Sequence, residues 1–325
     1  MKFFNMSNMN RPVSTRVSRV PAKWLLCMAV LLCAASSQAR QGKKVVFERI
    51  SQYHHIQVYD EDGVRTLSFN GSWETKMSLA DHLTGHFEYT EYFQMPFIWN
   101  PDIKTVLMAG LGGGSTPRAY QHYYTNVMVD MVEIDPAVVE VAEKYFNVTN
   151  NSTLRMHTND ARVFLRNSTN KYDVILMDAY STGAYGSSLP AQLTTKEFFK
   201  IADEHLTTNG VLGYNIIGQL AGSRERLVAA LYNTMQEVFP QVYMFPVPEE
   251  SQNIVFIATK SDQFTTWNRV QDNADALMHS GQVKLPSFAT RAKNFVNHPE
   301  LAVTNKFILT DDNSPIEQSM MRDSE

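Results

Sequence analysis

Three carboxylates close short strand-like runs in the middle of the chain: Glu133 after VMVDMV, Asp160 after LRMHTN and Asp178 after YDVILM. A glycine turn, Gly110-Leu111-Gly112-Gly113-Gly114, follows the apolar run Lys104–Ala109 just upstream of them. Such a turn lets backbone approach a ligand closely. Ligands of open parallel sheets bind outside the carboxyl ends of the strands, so acids at three successive strand ends face one crevice. Glu133 lies at the distance from the glycines where an acid accepts hydrogen bonds from ribose hydroxyls. Asp160, followed by Ala161, is placed to receive an exocyclic amine, and Asp178 points into the same crevice. Gly110, Gly112 and Gly114 are the glycines expected against the ligand.

A pyrophosphate-binding dinucleotide site is the competing reading. It requires a third glycine where the helix opens, and Ser115, Thr116 and Pro117 stand there instead. Acids at three strand ends suit a nucleoside bearing a sulfonium cation better than a dianion. S-adenosylmethionine, or decarboxylated S-adenosylmethionine, meets that description as a co-substrate, with no metal required.

Elements in the right order position these residues. From Val45 to Asn70 the pattern alternates around Glu61-Asp62-Gly63, a hairpin signal, so the region opens with a small antiparallel sheet. A helix is expected over Ala80–Phe93, stopping before Pro96. Beyond Pro101, continuous apolar strands alternate with helices, the signature of a parallel sheet covered on both faces. Ser115-Thr116-Pro117 reads as N-cap and first-turn proline, and Asp135-Pro136 caps the next helix. A polar loop is expected over Ala179–Leu189, a helix over Thr195–His205, and a closing antiparallel pair at Gln241–Val247 and Asn253–Thr259. The divisions are 1–39, 40–97 (β-hairpins plus helix), 98–260 (nucleoside-binding domain) and 261–325 (helical tail).

The composition, 44% hydrophobic and 19% charged, excludes disordered and fibrous classes. A net charge of −4 lacks the basic footprint of a nucleic-acid binder. Residues 1–39 hold five bases, no acid and both cysteines, with the apolar stretch Trp24–Ala35 before Ser37-Gln38-Ala39. That pattern predicts a signal peptide and an exported (periplasmic or secreted) protein; a single uncleaved N-terminal anchor is the alternative and the one route to a membrane. Without the leader, 24 bases face 33 acids, a net of −9, in a cysteine-free chain suited to a cationic partner.

The run VLMAGLGGGSTPRAY through VEIDPAVVEVAEKYF, then NDARVFL, YDVILMDAY, LPAQLTTKEFF and NGVLGYNII, resembles the spermidine synthase (polyamine aminopropyltransferase) family. The segment ERISQYHHIQVYDEDGVRTLSFNG is similar to that family's N-terminal strands, and GLGGGSxPR, DAY and LTDDNSP to its divergent spermidine-synthase-like branch. The resemblance implies an α/β fold: a Rossmann-like, class I S-adenosylmethionine-methyltransferase-type parallel sheet with a small N-terminal antiparallel β-domain, as a homodimer. It further implies transfer of an aminopropyl group from decarboxylated S-adenosylmethionine to a small cationic amine such as putrescine. Glu133 would then bind ribose and Asp160-Ala161 adenine. Gly113 and Ser181 stand where the family pattern has acids, His54 and Glu74 where it has glutamines, and Tyr89 or Tyr92 where it has a Tyr-His/Gln-Glu motif.

The expected set is therefore Asp178 and Tyr180 for catalysis, His54 with the nucleoside residues, and Glu74, Tyr89 and Asp311 for the amine. An S-adenosylmethionine-dependent methyltransferase on the same fold, or a non-catalytic nucleoside- or polyamine-binding homologue, are the alternatives. His82 and His86 share a helical spacing but have no third metal ligand in sight.

Overall fold

The computed structural model describes residues 42–183, 186–222, 225–248, 252–297, 301 and 307–314. The expected leader, residues 1–39, lies outside the described residues.

Four strands form an antiparallel meander: β1 (Lys44–Ile50), β2 (His55–Glu61), β3 (Val64–Phe69) and β4 (Ser72–Ser78). The turn between β2 and β3 places Asp62 and Gly63 at positive φ, as the Asp-Gly signal requires. A second positive-φ pair, Asn70-Gly71, turns the chain into β4, a strand the sequence reading did not separate out. That strand carries Glu74 and Thr75.

The predicted helix over residues 80–93 does not form. Residues 79–87 are irregular, and a 3-10 segment, Glu88–Ile98, runs on through Pro96. Gly85 sits at φ +75°, and a Cβ there would come within 2.9 Å of the Ser78 amide nitrogen. The chain from Tyr92 to Ile98 is buried at every position, so it lacks the single apolar face an amphipathic helix needs.

The main sheet has seven strands in the order β12-β13-β11-β8-β5-β6-β7. Its parallel part comprises β5 (Thr105–Ala109), β6 (Met128–Glu133), β7 (Leu154–Thr158), β8 (Tyr172–Met177) and β11 (Leu206–Ile217). Antiparallel β12 (Gln241–Pro246) and β13 (Asn253–Thr259) close the edge beside β11, the closing pair expected from the sequence. Helices α1 (Ser115–Tyr123), α2 (Pro136–Tyr145), α3 (Ala161–Asn167), α4 (Lys196–Glu204), α5 (Glu225–Gln236), α6 (Trp267–His279) and α7 (Phe288–Ala292) complete the fold.

Strand alternation divides the core. Val106 and Met108 of β5 join a layer with α2, α6, the 3-10 segment and the meander. Leu107 and Ala109 join the opposite layer with α3, α4 and α5. Both faces of the parallel sheet are thus covered, which is why its central strand β5 reads as an apolar run, while the edge strand β7 (LRMHT) does not. The expected loop 179–189 contains a short hairpin, β9 (Ser181–Gly183) against β10 (Gly186–Ser188). At the head of α1 the cap is Gly114 in the left-handed region, so Ser115 is the first helical residue rather than the cap.

Candidate nucleoside and amine site

The carboxyl ends of β5, β6, β7 and β8 open on one cavity of about 360 Å³, roofed by the meander and the 3-10 segment. Its wall includes His54, Glu74, Tyr89, Gly110, Gly112, Glu133, Asp160, Ala161, Asp178 and Tyr180. These residues come from segments more than 120 positions apart, so the fold assembles most of the expected set in one place. Two expected residues are elsewhere. Gly114 packs its backbone against Val148, and Asp311 is held outside the cavity by Arg162 and Thr195.

Glu133 ends β6, and its Oε2 accepts from the Leu111 amide at 3.0 Å while Oε1 accepts from the Asp135 amide at 2.9 Å. Burial raises its pKa, and those backbone donors oppose the rise. Each oxygen keeps a lone pair for a further donor. Asp160 caps α3, with Oδ1 accepting from the Val163 amide at 2.9 Å. The sequence offers no separate sign of this second duty beyond Asp preceding a helix.

Asp178 follows β8, and its amide donates to the Ala109 carbonyl at 2.8 Å. Gly110, at φ +91°, passes so close that a Cβ there would lie 2.3 Å from the Asp178 carbonyl oxygen. The Asp178 carboxylate accepts from Asn215 Nδ2 at 2.9 Å and from the Tyr89 hydroxyl at 3.1 Å. Asn215 is itself oriented by Asn253, whose Nδ2 donates to Asn215 Oδ1 at 3.0 Å. Tyr180 donates to the Asn215 backbone carbonyl at 3.1 Å. Burial pushes Asp178 up to about 6, while the Asn215 and Tyr89 hydrogen bonds pull it down. Burial also holds the Tyr89 and Tyr180 hydroxyls well above the usual phenol range, so both are neutral donors.

Glu74 projects from β4 into the same cavity, and its Oε1 is buried with no hydrogen-bond partner among the described residues. Burial first, then repulsion from Asp178, pushes its pKa up to about 7. His54 stacks on Phe69 at 4.2 Å between ring centroids, and its Nδ1 also finds no described partner. Burial lowers the His54 pKa against the opposing pull of Asp135, so the ring is neutral near pH 7. Thr116 presents a third such atom, Oγ1, at the cavity wall. Buried polar atoms left without a protein partner are costly unless a ligand or water meets them.

Gly113 is not open space. Its amide donates to Thr75 Oγ1 at 2.9 Å, and a Cβ would stand 2.7 Å from Thr75 Cγ2 and 2.9 Å from the Phe146 ring. His82 contacts Asn147 and His86 contacts Glu91, so the two histidines do not form a pair. Among the described residues no group of three or more His, Cys, Asp or Glu could hold a metal ion. Sequence reasoning missed Asn215 and Thr75. The available signal for Asn215 was its amide inside the apolar run Val211–Ile217; Thr75 had none.

The family model for the spermine/spermidine synthase domain matches residues 86–270. A polyamine aminopropyltransferase of Vibrio vulnificus is 30% identical over 280 residues, covering 83% of this chain and 89% of that relative. The chain belongs to the spermine/spermidine synthase family. Structural likeness agrees on the fold. A probable spermidine synthase from Corynebacterium glutamicum superimposes with a TM-score of 0.62 at 20% identity, covering 72% of this chain and 88% of that one. Human methyltransferase-like protein 13, solved with SAH, superimposes with a TM-score of 0.54 at 23% identity, covering 61% of this chain and 94% of that one. This chain thus shares its Rossmann-like sheet with a probable spermidine synthase and with a methyltransferase-like protein, and its small antiparallel meander stands before that sheet.

Proposed function

We propose that this family member is a transferase that binds decarboxylated S-adenosylmethionine at the carboxyl edge of its sheet. It moves the aminopropyl group to a small cationic amine such as putrescine. The observation that carries this reading is the convergence of Glu133, Asp160 and Asp178 on one cavity at the carboxyl ends of β6, β7 and β8, with β5 and its glycine turn between β8 and β6. Glu133 takes the ribose hydroxyls, Asp160 and Ala161 take the adenine, and Asp178 faces the sulfonium and amine end. The reaction is an in-line displacement, so alignment in a dry cleft supplies much of the rate. Asp178 contributes by favouring the cationic groups, with Tyr89 and Asn215 fixing its orientation.

A second reading, methyl transfer from S-adenosylmethionine, draws support from the filled space beside Gly113 and from the fold shared with a methyltransferase. A third reading, nucleoside or polyamine binding without catalysis, stands behind it. For location, we propose that residues 1–39 direct export, with a single N-terminal anchor as the alternative; a homodimer is the proposed assembly.

Calorimetry and turnover assays with decarboxylated S-adenosylmethionine, S-adenosylmethionine, methylthioadenosine and putrescine separate these readings. The proposal expects tight binding of the decarboxylated donor and formation of an aminopropylated amine. A methylated product establishes the second reading, binding without turnover the third, and no binding of any of the four ligands overturns all of them.

A further inference from the structure

Four carboxylates line the cavity, and three of them already accept hydrogen bonds from the protein. Glu133 spends both oxygens on backbone amides, Asp178 spends both on Asn215 and Tyr89, and Asp160 caps α3. Glu74 differs: its Oε1 is buried in the cavity wall and no described donor reaches it. The charged groups facing it are those of Asp178 at the end of β8; the Tyr89 and Tyr180 phenols face the same space and remain neutral. Gly113 is not part of the cavity wall, and Thr75 and Phe146 fill the volume next to it, so an entering cation finds no acid from the glycine turn. Two further unpartnered atoms on the same wall, His54 Nδ1 and Thr116 Oγ1, mark this space as built for a polar occupant.

We propose that Glu74 is the proton acceptor and anchor for the amine substrate, its Oε1 receiving an N–H of the attacking ammonium group. The inference deepens the aminopropyltransferase reading and rests on it. In the step it describes, the ammonium gives one proton to Glu74 Oε1, and the nitrogen lone pair so freed attacks the carbon beside the sulfonium. The new N–C bond forms as the C–S bond breaks, and the bonding pair leaves on sulfur as a neutral thioether. The product is a secondary ammonium, and Glu74 ends protonated. Burial and the nearby Asp178 both favour that protonated state, which brings the carboxyl closer to the amine in proton affinity than a solvent-exposed glutamate would be.

The test is calorimetry of the full chain with methylthioadenosine alone and with putrescine in the presence of methylthioadenosine, for wild type, Glu74→Gln and Glu74→Asp. Loss of a hydrogen bond to a charged group predicts a fall in putrescine affinity of roughly 10- to 100-fold in Glu74→Gln. Methylthioadenosine affinity should stay within about twofold, and Glu74→Asp should recover part of the putrescine affinity. Wild-type putrescine affinity should rise as pH increases through about 7, and that rise should vanish in Glu74→Gln. Unchanged putrescine affinity in Glu74→Gln, or no putrescine binding by wild type, overturns the role of Glu74. Failure of methylthioadenosine to bind overturns the underlying reading instead.

Discussion

The Tyr89 hydroxyl donates to Asp178 across 89 positions of sequence at 3.1 Å, tying the 3-10 segment to the end of β8. This bond favours the ionised carboxylate in a place where burial raises its pKa. Tyr89→Phe should therefore move the Asp178 pKa upward from about 6. Carbon-detected NMR titration of the carboxyl group checks this, and a downward or absent shift contradicts the assignment. If Asp178 acts ionised, the acid limb of the rate profile should move in the same direction.

Glu133 has two roles that mutation should separate. Glu133→Ala removes the ribose acceptor and leaves the Leu111 and Asp135 amides without their side-chain partner. Each unsatisfied buried donor costs about 1–3 kcal/mol, so thermal stability should fall along with affinity for methylthioadenosine. Calorimetry on the folded variant, at a temperature below its melting transition, should show at least a tenfold loss of affinity. Retained affinity means the nucleoside lies elsewhere.

Introducing an acid at position 113 should fail to create a useful carboxylate. A Cβ there meets Thr75 Cγ2 at 2.7 Å and the Phe146 ring at 2.9 Å. Overpacking of this kind costs about 1–3 kcal/mol, so Gly113→Asp should melt several degrees lower than wild type. Adding Thr75→Ser removes the offending methyl while retaining the hydroxyl that accepts from the Gly113 amide. The double variant should recover part of the loss, with Phe146 accounting for the rest. Full stability in Gly113→Asp alone would show that the wall yields.

Glu74 also predicts a pH signature in the unliganded protein. Its folded pKa, about 7, lies above the unfolded value near 4.5, so folding favours the protonated form. Stability from this group is present below pH 4.5 and is lost as pH rises toward 7 and beyond. Glu74→Gln should therefore be more stable than wild type at pH 8, and the difference should disappear at pH 4.5. Melting curves at the two pH values decide it.

Asp311 makes the opposite prediction. Arg162 grips its carboxylate with two nitrogens at 2.7 and 2.6 Å, and Thr195 donates to it at 2.7 Å. These partners hold its pKa below the usual carboxylate range, so its stabilisation is present above about pH 4 and is lost in acid. Because the pair is partly solvent-exposed, Asp311→Asn should cost about 1 kcal/mol or less. Putrescine affinity should not change, because Asp311 is outside the cavity wall.

Much of the candidate site was legible because its residues follow a rule of the fold. Parallel strands bind ligands at their carboxyl ends, so Glu133, Asp160 and Asp178 could be placed from the order of the strand-like runs before them. Gly110 was legible for a related reason, since a turn this tight beside another backbone admits no side chain. The 3-10 segment was not, because burial at every position from Tyr92 to Ile98 erases the periodicity that separates helix types. Strand β4 was hidden by a hairpin turn at Asn70-Gly71, immediately after a stronger one at Asp62-Gly63.

The motifs placed the chain in its family by resemblance, and by itself the sequence determined the alternation of strands and helices and the strand ends at which Glu133, Asp160 and Asp178 stand. Those depend on local periodicity and on short spacings along one chain segment. Only the tertiary structure decided that Glu74 faces Asp178, that Thr75 and Phe146 fill the space beside Gly113, and that Asp311 is tied to Arg162 outside the cavity. A strand pattern shows which face a side chain takes, but not what stands opposite it. Burial, partner and pKa are set by neighbours that only the packing of β4 over the sheet brings within reach.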